Sequence, residues 1–163
     1  MNKEIRMKYA KYRLTKQLGQ YDCGPTAIVN VMKLNGQRIP YRSSHERLFK
    51  ALKIRENRGV YLSQFKDFIT KRRIPKSRFK FEANNISYRD VQRFLDKGYV
   101  AILAFGRGPS MPGHICVIAG YNKCGLEVVN WDKNNAVQIV GFDRFKKNVL
   151  SYNEAFYYFF ERK

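Results

Sequence analysis

Residues 17–36 read QLGQYDCGPTAIVNVMKLNG, and the interpretation of the whole chain starts from this stretch. The apolar residues of its second half repeat at helical spacing, Pro25 suits a first helical turn and Gly36 suits a helix end, which predicts a helix from about Asp22 onward. Cys23 then lies at the helix N-terminus, where the helix dipole and the free backbone N–H groups favour a thiolate. We therefore predict that Cys23 is a nucleophile.

A cysteine nucleophile needs a general base, and a second stretch offers one. Residues 113–121 read GHICVIAGY, so His114 opens an apolar strand. The next strand is predicted to end at Asn130-Trp131-Asp132, where an amide and a carboxylate at alternate positions are expected to share one face. An antiparallel return would bring either Asn130 or Asp132 beside the imidazole as its orienting partner.

These motifs, in this order, resemble those of a known family. Gln-x5-Cys-Gly, a Gly-His before an apolar strand that ends in Gly-Tyr, and an Asn or Asp after the next strand are similar to the papain-like cysteine peptidases. The closest resemblance is to their C39-like, bacteriocin-processing type. It spans nearly the whole chain, because that type also has segments similar to Gly59-Val60 and to residues 94–103.

The resemblance implies a papain-like α+β fold and peptide-bond hydrolysis through a thioester, without a metal or a cofactor. It makes Cys23 the nucleophile, His114 the general base and Gln17 the side-chain donor of the oxyanion hole, together with the Cys23 backbone N–H. The commoner family spacing after the histidine selects Asn130 as the third residue. Asp132 is the alternative, since the Asp-Pro that usually follows this strand in the family is absent here.

Hydrophobic periodicity predicts helices in the first half and an antiparallel sheet in the second half, which is an α+β pattern. The predicted helices follow Asp22, begin at Ser43 or Ser44 and run through Leu52, cover the apolar residues from Val60 to Ile69, and follow a cap at Ser87 through Asp96. The predicted strands are residues 79–81, 99–105, 115–121, 126–131, 137–140 and 155–160.

The chain has 163 residues, which is the size of one domain. Residues 17–163 are predicted to form that domain, after a basic N-terminal arm over residues 1–16. No apolar run is long enough to cross a membrane, and the N-terminus lacks a signal-peptide pattern, so a cytoplasmic location is expected. The three cysteines show neither a disulfide framework nor zinc-ligand spacing.

A strong excess of positive charge is the most pronounced feature of the composition. The chain carries 32 Lys and Arg against 13 Asp and Glu, a formal net charge of +19. Such a surface attracts nucleic acid or another polyanion, and from this charge alone we expect an association with nucleic acid or with a virus or phage particle. The candidate contact face consists of Lys71, Arg72, Arg73, Lys76, Arg78 and Lys80.

Two other functions remain open at this point. The chain is either an active peptidase or a peptidase-fold protein that has lost its chemistry and serves as a basic nucleic-acid-binding or virion module. A transferase that uses the same thioester is a further alternative, because the acceptor alone separates hydrolysis from acyl transfer. Among the remaining conspicuous side chains, His45 is expected at the surface of a charged helix, and Trp131 is expected to pack over or shield the site.

Overall fold

A computed structural model describes residues 3–55, 58–71, 74, 77–106, 113–132, 136–150 and 154–162. Helices dominate the first half of this part of the chain, and strands dominate the second half, as predicted. The helices are α1 (Lys3–Ala10), α2 (Cys23–Leu34), α3 (Tyr41–Ala51), α4 (Leu62–Lys71), α5 (Tyr88–Asp96) and α6 (Phe142–Phe145), which continues into a π-helical turn at Lys146–Leu150. The strands are β1 (Phe79–Asn84), β2 (Tyr99–Gly106), β3 (His114–Asn122), β4 (Gly125–Val129), β5 (Val137–Val140) and β6 (Glu154–Glu161).

Most predicted elements are confirmed, and several boundaries differ; β1, for example, ends at Asn84 rather than at residue 81. Helix α5 begins with a capping box in which Ser87 and Asp90 bond reciprocally to each other's backbone N–H groups. Helix α3 begins at Tyr41 rather than after Ser43 or Ser44, because Pro40 in an extended conformation leads directly into it. Strand β4 ends at Val129 rather than at residue 131.

In the described part of the chain, the strands form one antiparallel six-stranded sheet in the order β1-β6-β2-β3-β4-β5. Alternate side chains of β2 face opposite sides of it, as the strand period requires. Ile102 belongs to the hydrophobic cluster around α2, and Leu103 belongs to the cluster under α5 and α6. Every residue of α2 is buried, so the sheet holds this helix firmly along its length.

Part of the expected N-terminal arm is folded onto the domain. Residues 3–10 form α1, whose side chains Ile5 and Tyr9 are each only 3% exposed. The Tyr9 hydroxyl donates to Glu127 Oε2 at 2.6 Å, and Lys8 Nζ donates to the same oxygen at 2.7 Å. Gly120 leaves the room that this contact needs, because a Cβ atom there would collide with the Glu127 carboxylate.

Candidate active site

Cys23 is the first residue of α2, as predicted, and its side chain is 5% exposed. The next residue has to be small. A Cβ atom on Gly24 would lie 3.0 Å from Val60 Cγ1 and 3.4 Å from the Phe65 ring. The Gly59-Val60 step therefore packs against the backbone that carries the thiol.

The electrostatics of Cys23 differ from those of an open helix N-terminus. Burial raises the pKa of the Cys23 thiol to about 11. Backbone N–H groups of Ile115 and Gly24 act in the opposite direction, and the negative charge of Asp22 adds to the rise. Desolvation outweighs the helix-end contribution here, so the ground state of this site is a thiol rather than a thiolate.

His114 is the first residue of β3 and lies opposite Phe105 of β2. Its ring contacts the Phe105 ring edge-on, with the ring centres 5.7 Å apart. The N–H of the next residue, Ile115, bonds to the Cys23 sulfur, so the start of β3 lies beside the thiol. Burial lowers the pKa of His114, while the backbone of Asn130 and Trp131 and the charge of Asp132 raise it.

A glycine sets the position of this histidine. A Cβ atom on Gly113 would collide with the carbonyl oxygen of Phe105 and would lie 3.0 Å from Leu62 Cδ2. The end of β3 can therefore approach β2 closely only when residue 113 has no side chain.

Asn130 contacts His114 through its backbone rather than through its side chain. The His114 Nε2 atom lies 2.9 Å from the Asn130 carbonyl oxygen. Asn130 is fully buried and adopts a left-handed backbone with φ of 62°, which ends β4 and removes the expected alternation with Asp132. In the described site, Asp132 acts on the imidazole through its charge.

The Asn130 side chain instead joins two other parts of the site. Its Oδ1 accepts from the Gln17 backbone N–H at 3.0 Å, and its Nδ2 lies 3.4 Å from the Ile115 carbonyl oxygen and 3.5 Å from Gln17 Oε1. Gln17 is 7% exposed, and its Nε2 donates to the Gly19 carbonyl oxygen at 2.7 Å. One hydrogen of the Gln17 side-chain amide therefore bonds to the loop at Gly19. The same nitrogen carries a second hydrogen that can donate to another group.

Sequence reasoning missed the contact between Asp22 and His45. The Asp22 carboxylate accepts from the backbone N–H groups of Leu18 and Gly19 at 3.0 and 3.1 Å, and its Oδ2 lies 3.0 Å from His45 Nε2. His45 is therefore partly buried against the site loop, and its expected place at the surface is wrong. The Asp22–Gly19 spacing is a local turn signal, whereas nothing near His45 in the sequence indicates its partner.

Trp131 packs as expected. Its ring stacks on Phe105 with centres 5.9 Å apart and lies 6.2 Å from the Phe145 ring. Phe105 therefore contacts both the indole and the His114 imidazole. In the described residues, no group of His, Cys, Asp and Glu side chains is arranged to hold a metal ion.

The basic face predicted around residues 71–80 is described only in part. Lys71 Nζ lies 3.1 Å from Asp67 Oδ1, and Lys80 Nζ lies 3.5 Å from Glu161 Oε2. The two described lysines of this face therefore have carboxylate partners. Arg72, Arg73 and Lys76 lie outside the described residues.

Within the part of the chain that the structure covers, no helix has the length and apolar character of a membrane span. No curated protein sequence matches the chain. The peptidase domain of Streptococcus ComA, a bi-functional ABC transporter of a quorum-sensing pathway, has a similar structure. The TM-score is 0.63 at 19% identity, over 93% of this chain and 99% of that chain.

A putative C39-like peptidase from Bacillus anthracis is also similar, with a TM-score of 0.58 at 13% identity, over 93% of this chain and 97% of that one. The fold is therefore the papain-like fold of C39 peptidase domains, and the predicted fold class is confirmed. The family model of the peptidase C39-like family matches residues 9–157. The chain belongs to the peptidase C39-like family, with Cys23 and His114 at its candidate site.

Proposed function

We propose that this chain is a cysteine peptidase in which Cys23 is the nucleophile and His114 the general base. The observation that carries the proposal is the junction of α2 and β3. There the buried sulfur of Cys23 accepts the Ile115 N–H, and the adjacent residue is His114, held by the Asn130 carbonyl oxygen. Family membership supports a cysteine peptidase in general.

The reaction begins from a thiol and a neutral imidazole. As the sulfur forms a bond to the carbonyl carbon of a peptide substrate, the thiol proton passes to His114, and the Cys23 backbone N–H and the Gln17 amide donate to the oxyanion. His114 then gives the proton to the leaving nitrogen as the C–N bond breaks. Water attacks the resulting thioester and restores the thiol.

In this proposal, the role of the third catalytic residue is shared by Asn130 and Asp132. The Asn130 carbonyl oxygen accepts from the imidazole and fixes its orientation, while the Asp132 carboxylate stabilises the imidazolium that forms during attack. The Asn130 side chain positions the Gln17 loop. This division follows from the contact at 2.9 Å and from the Asp132 charge acting on His114.

An epoxide probe tests this chemistry without knowledge of the substrate. Opening the epoxide by sulfur requires a proton on its oxygen, which His114 would supply. The Cys124→Ser variant removes the exposed thiol, and Cys116 is fully buried. In that background we expect one adduct by intact mass, none in Cys23→Ala, and labelling slowed about 100-fold or more in His114→Ala. Equal labelling in His114→Ala would overturn the proposal.

A basic binding module is the second candidate, and one observation favours it. Burial raises the pKa of the Cys23 thiol and lowers the pKa of His114, so the resting pair is uncharged and poorly reactive. With a net charge of +19, we propose association with nucleic acid, in the cytoplasm or in a virus or phage particle. Adding DNA to the epoxide reaction separates the two candidates, because a regulated peptidase changes its labelling rate and an inactive module does not label.

Acyl transfer is the remaining enzymatic variant of the proposal. The same thioester would react with an amine instead of water if a suitable acceptor reached it. Any peptide cleaved by the chain can be incubated again with excess glycine amide. A product carrying the amide would assign transferase chemistry, and a free carboxylate alone would assign hydrolysis.

A further inference from the structure

A large cleft lies away from the candidate active site, where the end of α1 meets the end of α2. Its volume is about 930 Å³, and the residues around it come from two segments, 10–13 and 33–40. Cys23 and Lys33 are near opposite ends of α2, so the cleft and the thiol are separated by roughly 15 Å along the helix. The cleft is thus a second concave feature with no part in the proposed chemistry.

Positive charge distinguishes this cleft. Four of its residues are basic, namely Lys11, Arg13, Lys33 and Arg38, and none of the described residues around it is acidic. Lys11, Arg13 and Arg38 take part in no ion pair among the described residues. The described lysines of the 71–80 face, by contrast, have carboxylate partners. The cleft therefore brings together three cations that have no ion pair among the described residues, without an acidic side chain beside them.

The wall of the cleft is held in place from inside the domain. Lys33 is 7% exposed, and its Nζ donates to the Arg13 carbonyl oxygen at 2.8 Å. Asn30 clamps the same segment, because its side chain accepts from the Thr15 N–H at 2.9 Å and donates to the Thr15 carbonyl oxygen at 2.8 Å. These contacts hold the backbone of Arg13 and Thr15 against α2 in the absence of a ligand.

Arg13 occupies a backbone position where glycine is preferred. Its φ is 50°, the left-handed region, in which a residue with a side chain costs of order 1 kcal/mol relative to glycine. Arg13 thus lines the cleft from a backbone position that its neighbours hold at a cost. Arg162 extends the positive region, since its guanidinium donates to the Tyr12 hydroxyl at 2.9 Å.

We propose that this cleft binds the phosphate groups of a single-stranded nucleic acid. Guanidinium groups match phosphate oxygens in bidentate geometry, and the cleft provides two of them beside the ammonium group of Lys11. Basic grooves in proteins that bind single strands follow the strand's phosphate backbone, and this cleft has that charge and concave shape. The inference rests on the proposed polyanion association for its ligand class but not on the proposed peptidase chemistry.

Fluorescence anisotropy with a labelled 12-nucleotide oligo-dT tests the assignment. The full chain carrying Cys23→Ala serves as the parent, so binding is measured apart from any thiol chemistry. We expect Arg13→Glu and Arg38→Glu each to weaken binding about tenfold or more. In the double variant, the slope of log Kd against log salt concentration should fall by the amount that corresponds to roughly two phosphate contacts. Lys71→Glu and Lys80→Glu are the matched controls and should change Kd by less than about threefold.

Each other outcome overturns a defined part of the inference. Equal weakening by all four charge reversals would assign binding to the general field of the protein and not to the cleft. Equal competition by poly-glutamate and by unlabelled oligo-dT would overturn the phosphate assignment. Tighter binding of a duplex than of the single strand would overturn the assignment of the ligand as single-stranded. No binding at low salt would overturn both the cleft and the polyanion association, and it would leave the epoxide result unaffected.

Discussion

At the scale of single residues, the state of the Cys23 thiol separates this site from a preformed thiolate–imidazolium pair. Burial pushes the pKa of the thiol up to about 11 and the pKa of the imidazole down, so both changes favour the uncharged pair. In the proposed mechanism the proton therefore moves during attack, and correct orientation of the imidazole becomes the main requirement.

This state predicts how the alkylation rate of Cys23 depends on pH. Iodoacetamide reacts with the thiolate, so in the Cys124→Ser variant we expect the rate to rise about tenfold per pH unit between pH 7 and 10. The rate is followed by intact mass. The exposed Cys124 of the Cys23→Ala variant provides the reference profile. A rate that is constant from pH 5 to 8 would instead show a preformed ion pair.

The charge of Asp132 should be visible in the titration of His114. Its carboxylate raises the pKa of the imidazole, so Asp132→Asn is expected to move the titration to lower pH. The chain has two histidines, and a His45→Gln background leaves one imidazole signal in the NMR spectrum. Asp67→Asn, on the exposed side of α4, is the matched control. A shift equal to that of the control would remove Asp132 from the proposed site.

Features of the site that are marked by local sequence could be predicted, whereas contacts made by the backbone or between distant segments could not. The positions of Cys23 and His114 in the fold were predictable, because each lies at the start of a helix or a strand. The role of the Asn130 carbonyl oxygen was not, since a backbone contact leaves no signature in the side chain and depends on a φ of 62°. The His45–Asp22 contact joins α3 to the loop before α2 and has no local signal either.

At the scale of secondary-structure elements, local chemistry decided which boundaries were predictable. Strand β5 and helix α5 follow the prediction because their limits come from alternation and from the Ser87 cap. The start of α3 was predicted late, since the serines compete as caps in sequence while Pro40 sets the helix entry in space. Strand β4 was predicted too long, because Asn130 adopts a left-handed backbone with φ of 62° while its side chain contacts Gln17 and Ile115.

The junction between β2 and β3 gives a prediction at this scale. Gly113→Ala would force the Phe105 carbonyl oxygen away and separate the two strands at the end that carries His114. We expect a loss of about 1–3 kcal/mol in the free energy of unfolding, measured by urea denaturation, together with loss of epoxide labelling. Gly141→Ala is the control, because its Cβ atom would lie 3.7 Å from the Cys124 carbonyl oxygen. Equal effects of the two substitutions would contradict this account of Gly113.

At the scale of the whole molecule, the sheet is covered on both faces, and β6 contributes aromatic rings to each. Tyr158 belongs to the cluster around α2, and Tyr157 belongs to the cluster under α5 and α6. Both hydroxyls are buried without a hydrogen-bond partner among the described residues. Such a hydroxyl loses its hydration on folding and gains no hydrogen bond in return. Each of the two tyrosines therefore lowers the stability of the fold, one on each face of the sheet.

Alkaline pH should therefore destabilise the entire fold. Burial raises the pKa values of Tyr9, Tyr157 and Tyr158 well above the ordinary value of 10.0. A raised pKa in the folded state means that the stabilisation is complete below the unfolded pKa and is lost as pH rises above it. Each group then costs about 1.4 kcal/mol per pH unit, and we expect the melting temperature to fall steeply between pH 9.5 and 11.

Two effects of high pH on stability oppose each other, and the larger of them decides whether the fold is stabilised or destabilised. Deprotonation of lysines relieves the repulsion that accompanies a net charge of +19, but exposed charges interact weakly and are screened by salt. Ionisation of buried hydroxyls is not screened, so it should dominate in 0.2 M NaCl. The Tyr157→Phe, Tyr158→Phe double variant should melt at the same or a higher temperature at pH 7 and lose less stability up to pH 11. A pH profile parallel to that of the unaltered chain would show that groups other than the buried rings of β6, such as Tyr9, govern alkaline unfolding.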